Sequence, residues 1–136
     1  MERSPLEPEM ELFRSSARKF FQREIRPHSE RWRENIVDRE AFRKAGDVGY
    51  LCMWADEKYG GLGIRDFRYE QILIEENTFY GDPGYFITLH SRLVGPYIER
   101  FGSEEQKRRF LPDMISGKQI LAIATTELDA GSDSPG

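Results

Sequence analysis

The chain has 136 residues, the size of one domain, which leaves no room for two independent cores. With 20 basic against 24 acidic residues the net charge is -4, so the basic surplus of a nucleic-acid binder is missing, and no stretch approaches the roughly 20 apolar residues of a membrane span. The single cysteine, Cys52, excludes an internal disulfide, and the acidic N-terminus (Glu2, Glu7, Glu9, Glu11) resembles neither a secretory signal nor a transit peptide. The expected setting is therefore reducing, soluble and cytoplasmic.

From about residue 7, Met10, Phe13, Ala17, Phe20 and Phe21 recur at spacings of three and four, the stripe of an amphipathic helix. Pro27 predicts its end near Arg26 and the start of a short helical piece to about Glu34, anchored inward by Trp32. Asp38 stands at an N-cap before Ala41, Phe42, Ala45 and Val48, with Gly49 as the stop. Residues 54–63 carry Gly60, Gly61 and Gly63 and read as an irregular loop.

Asp66 caps the next helix, whose Tyr69, Ile72, Leu73, Glu76 and Phe79 lie on nearby faces, and Gly81-Asp82-Pro83-Gly84 breaks it. The helix that follows is the most apolar. Its predicted inward set is Phe86, Ile87, Leu89, His90, Leu93, Val94, Tyr97, Ile98 and Phe101, wide enough to be contacted on more than one side, and Gly102 ends it. Ser103-Glu104-Glu105-Gln106 is a capping box; Pro112 is expected to bend or restart its helix and Gly117 to close it. Ile120 to Thr126 is branched, apolar and without helical spacing, as a buried strand would be. Since one strand cannot satisfy its own backbone, the chain reads as all-α over residues 1–117, followed in 118–136 by the first strand and loop of a β-domain that is otherwise missing.

Chemistry is hard to find by spacing alone. His28 and His90 lie far apart in sequence and from Cys52, so no metal set is assembled. Gly60-Gly61-Leu62-Gly63 lacks the spacing and the Lys-Ser/Thr ending of a phosphate loop, and Ser134 lacks the nucleophile-elbow pattern. Cys52, between Leu51 and Met53, reads as a small buried apolar residue, and His90 on its apolar helix as a core histidine.

The run Ala124-Thr125-Thr126-Glu127-Leu128-Asp129-Ala130-Gly131-Ser132-Asp133-Ser134-Pro135-Gly136 resembles the flavin-side signature of the acyl-CoA dehydrogenase family, a strand ending in Thr-Glu followed by Ala-Gly-Ser-Asp. Tyr59-Gly60-Gly61-Leu62-Gly63, Leu93-Val94-Gly95-Pro96 and Phe101-Gly102-Ser103-Glu104-Glu105-Gln106-Lys107 stand in the family's order, and Arg18-Lys19-Phe20-Phe21, the Lys44-Ala45-Gly46 turn and Ile123-Ala124 look most like its long-chain branch.

The resemblance implies the helical N-terminal domain of an enzyme that uses FAD to oxidise a fatty acyl-CoA to its trans-2-enoyl form, passes electrons to an electron-transfer protein and is a homo-oligomer when complete. It implies flavin contact at Ile123, Thr125 and Thr126, pyrophosphate approach at Gly131 and Ser132, CoA contact at Ser132, and an acyl pocket along Phe86, Leu89, His90 and Leu93. If Thr126 faces the flavin, Glu127 points away, so no catalytic base is assigned; the family's base is a glutamate from a later helical part. Where the family usually has Pro-Gly, this chain has Leu128-Asp129, which puts a negative charge near the phosphate position; Thr125 replaces a commoner aliphatic residue. FAD binding by the 136 residues alone is expected to be weak or absent. The competing expectation is a non-catalytic helical module that binds protein partners or acyl-CoA.

Overall fold

Pro8 opens α1 (Pro8–Phe20), where its missing N–H costs nothing, and Glu9 and Glu11 in the first turn with Arg18 and Lys19 in the last complement the helix dipole. The computed structural model of the protein describes residues 6–124, and within them every regular element is helical. After α1 the chain widens into a π-turn (Phe21–Ile25), tightens into a 3₁₀ turn at Arg26–His28 and continues as α2 (Ser29–Glu34). Pro27 thus modulates the helix without stopping the chain's helical course, and Trp32 is buried as expected.

α3 (Arg39–Asp47) follows, and Gly49, at φ +74°, turns the chain into the irregular stretch that holds a short 3₁₀ turn at Glu57–Tyr59. α4 (Phe67–Tyr80) is capped by Asp66, whose carboxylate accepts from the Arg68 N–H at 2.9 Å. A π-turn at Leu89–Val94 leads directly into α5 (Gly95–Phe101), and α6 (Glu104–Ile115) completes the domain behind the predicted capping box.

α1 lies along α4, and α5 with its π-turn lies against α6. The larger apolar cluster holds Met10, Phe21, Ile25, Phe42, Leu51, Ile72, Leu73 and Tyr85; the smaller holds Cys52, Trp54, Tyr59, Leu111 and Met114. Ion pairs fasten α1 to α4 at the rim of the larger cluster: Arg14 to Glu75 at 2.9 Å and Arg18 to the buried Glu76 at 2.8 and 3.1 Å.

Several expectations are corrected. Asp38 occupies the N-cap but its carboxylate makes no capping bond; both its oxygens are turned to the Arg31 guanidinium instead. The Lys44-Ala45-Gly46 stretch is not a turn but part of α3. α6 runs through Pro112 without restarting, because Pro112 and Arg108, whose carbonyl loses its donor there, are on the exposed side. Phe79 is 73% exposed. Residues 118–124 form no strand among the described residues, since there is no sheet for them to join; Thr125 and Thr126, the end of the predicted strand, lie outside the described residues.

Candidate functional site

The helix carrying the predicted acyl pocket buries only part of the broad apolar set expected to face inward. Ile87, His90, Ser91 and Gly95 are buried, while Phe86, Leu93, Tyr97 and Phe101 are half or more exposed. Ile87, His90, Ser91 and Gly95 stand at i, i+3, i+4 and i+8, the spacing of one helix face, and Phe86, Leu93, Tyr97 and Phe101 are turned away from the core. Leu89 is half-buried. The structure therefore leaves Phe86 and Leu93 on the surface, where a further part of a protein or a ligand could cover them, and encloses His90. A shallow apolar groove of about 270 Å³ between Pro96, Tyr97, Arg100 and Phe101 continues the outward set.

Beneath that surface lies a buried polar group between the two apolar clusters. Ser91 joins it to the loop after α3: its hydroxyl accepts from the Cys52 N–H at 3.1 Å and its carbonyl accepts from the Trp54 indole N–H at 2.6 Å. Cys52 is held at φ +48°, a left-handed conformation that a non-glycine residue rarely adopts. Burial pushes its thiol up to about 12, so it is inert at neutral pH. Gly95 lets α5 pass close by, because a Cβ there would stand 2.9 Å from the Trp54 ring.

His90 is fully enclosed, with the Phe42 ring 5.8 Å from its own and the Cys52 sulfur 3.9 Å from Nε2. Nδ1 accepts from the Leu121 backbone N–H at 3.1 Å, so the ring is neutral with its proton on Nε2, which donates to the Met114 carbonyl at 3.0 Å. Burial lowers the imidazole pKa below its ordinary value, with the bond to Met114 working in the opposite direction. Both nitrogens are thus taken up by backbone, as in a core histidine. Sequence reasoning missed Ser91 and Trp54, because their partnership depends on a contact between residues 37 apart in the chain.

Of the residues expected to meet a flavin, Ile123 is 44% exposed, and Thr125, Thr126, Gly131 and Ser132 lie outside the described residues. Ala122, Ile123 and Ala124 are exposed, in no regular element, and make no backbone hydrogen bond among the described residues. Their N–H and C=O groups are the donor and acceptor set that the edge of an isoalloxazine ring can take, so the described part of the segment fits such a group. No group of His, Cys, Asp and Glu able to hold a metal exists among the described residues.

Comparison with known proteins gives this arrangement a context. The family model of the acyl-CoA dehydrogenase N-terminal domain matches residues 7–118. The mitochondrial long-chain specific acyl-CoA dehydrogenase of Sus scrofa is 45% identical over 129 residues, 94% of this chain and 30% of that protein. Among solved structures, an acyl-CoA dehydrogenase from Geobacillus kaustophilus superposes with a TM-score of 0.87 at 43% identity over 97% of this chain and 35% of that one. An acyl-CoA dehydrogenase complexed with FAD from Bacillus anthracis superposes at 0.86, with 26% identity over 99% of this chain and 23% of its own. The chain spans about 30% of the length of the curated relatives it matches. It belongs to the acyl-CoA dehydrogenase family and carries that family's helical N-terminal domain.

Proposed function

We propose that this chain supplies one wall of an FAD-dependent acyl-CoA dehydrogenase that converts a fatty acyl-CoA to the trans-2-enoyl-CoA and hands its electrons to an electron-transfer protein. One observation carries the reading: the helical domain presents an outward apolar set at Phe86 and Leu93 and then runs into an exposed backbone at residues 122–124 that has no hydrogen-bond partner among the described residues. FAD, when bound, supplies the electron sink. The chain's own part is to shape and dry the acyl side through Phe86, Leu89 and Leu93 and to offer backbone groups at Ile123 to the ring, with Thr125, Thr126, Gly131 and Ser132 continuing that contact towards the pyrophosphate and CoA. The base comes from outside these 136 residues, and its absence alone lowers the rate by about 10²–10⁴-fold.

Replacing the matched third of the Geobacillus kaustophilus enzyme with these 136 residues tests the proposal. The chimera is expected to purify yellow and to bleach anaerobically with octanoyl- or palmitoyl-CoA, whereas the 136 residues alone lose FAD on gel filtration and reduce no acceptor. A colourless chimera would overturn the flavin reading and leave the non-catalytic module in its place; turnover by the 136 residues alone would overturn the division of labour.

A further inference from the structure

The segment that follows α6 is tethered at successive points. Gly117, at φ +71°, reverses the chain; the Lys118 carbonyl accepts from Arg39 at 3.3 Å; the Gln119 N–H returns to the Asp113 carbonyl at 3.0 Å; and the Leu121 N–H donates to His90 Nδ1 at 3.1 Å. Beyond Leu121 no backbone tether follows among the described residues. His90 is therefore the last fixed point before Ile123, which stands no more than about 7 Å further along the chain.

His90 itself cannot swing. Its ring is enclosed between Phe42 and Cys52, and its other nitrogen is committed to the Met114 carbonyl at the end of α6, which also accepts from the Gly117 N–H at 3.2 Å. We propose that His90 is a positioning residue: with its proton on Nε2 it couples the end of α6 to the Leu121 backbone and thereby sets where the Ile123 backbone stands. The flavin half of this inference rests on the function proposed above, while the coupling is a property of this chain. It gives His90 a task other than lining an acyl pocket, one that an enclosed ring can perform. No proton transfer is involved; the ring acts as a fixed donor and acceptor pair whose geometry neither an aliphatic residue nor a single amide reproduces.

Two variants separate the two bonds. In His90→Asn the side-chain oxygen stands near the position of Nδ1 and can still accept from Leu121; in His90→Gln the amide nitrogen can reproduce the Nε2–H donor but not that acceptor. Amide hydrogen exchange and imidazole ¹⁵N shifts would be recorded on the 136-residue chain. The expected result is an Nε2–H ring with a protected Leu121 amide, exchange at Leu121 about 5–10-fold faster in His90→Gln with α1 and α4 amides unchanged, and protection recovered to within about twofold in His90→Asn. A proton on Nδ1, or equal Leu121 exchange in wild type and His90→Gln, would overturn the coupling.

In the chimera, FAD affinity is expected to fall about 5–10-fold in His90→Gln and less in His90→Asn. The reverse order would overturn the flavin half. A colourless chimera with Leu121 still protected rejects the flavin reading, and a yellow one with Leu121 unprotected rejects the role of His90.

Discussion

Glu70 sits on α4 at 5% exposure, and its Oε1 has no hydrogen-bond partner among the described residues. Burial raises its pKa from the ordinary 4.5 to about 7, with Arg92 the opposing influence. Between those two values the folded chain holds a proton that the unfolded chain has released, so the stability linked to this group is full below about pH 4.5 and is lost as pH rises through about 7. Glu70→Gln keeps the shape and removes the ionisation. It is expected to raise the unfolding free energy by roughly 2–3 kcal/mol at pH 8 and by little at pH 4, read from urea midpoints at the two pH values. A uniform effect across pH would mean that the carboxylate is solvated. Nothing in the sequence separates Glu70 from the other carboxylates of an acidic helical chain, because its burial depends on which helices cover it. His90 is different: its apolar neighbours in sequence already marked a core histidine, though not the partners of its two nitrogens.

At the scale of elements, features written locally were legible and features set by contact were not. Ser103 accepts from the Gln106 N–H at 3.2 Å while the Gln106 side chain accepts from the Ser103 N–H at 2.7 Å, as the four-residue pattern predicts. Ser103→Ala should cost about 1 kcal/mol, measured by chemical denaturation. Gly117 is stricter. It combines φ +71° with a Cβ position 2.3 Å from the Phe42 carbonyl oxygen, so Gly117→Ala must both strain the backbone and push α3 from the end of α6. A loss of more than about 2 kcal/mol is expected, and a change under about 0.5 kcal/mol would show that the two helices part easily. The two π-turns left no trace in the pattern of apolar residues, since Phe20 and Phe21 at the first and His90 and Ser91 at the second keep the buried spacing of an ordinary helix. Phe86, Tyr97 and Phe101 read as inward and are not, because this helix is apolar nearly all round and hydrophobicity alone does not say which face the fold covers.

For the molecule as a whole, the outward apolar set has a cost in solution. Phe86 and Phe101 are 65% and 70% exposed, and the exposed backbone of residues 122–124 has no hydrogen-bond partner among the described residues. A net charge of -4 gives little repulsion to oppose contact between copies. Sedimentation should therefore reveal concentration-dependent association of the 136 residues, and Phe86→Ser with Phe101→Ser should shift the distribution towards monomer with the thermal midpoint held within a few degrees, because neither ring belongs to the core. Association unchanged by the pair would place the contact elsewhere. The wide turn at Leu89–Val94 also fixes how this region can vary in length. A π-turn holds one residue more than the α-turn it replaces, so removing one residue there can tighten the turn while the flanking helices keep their phase. The same deletion within α5 has no such slack and would rotate everything beyond it by about 100°, so a change in length is absorbed at the π-turn and not in α5.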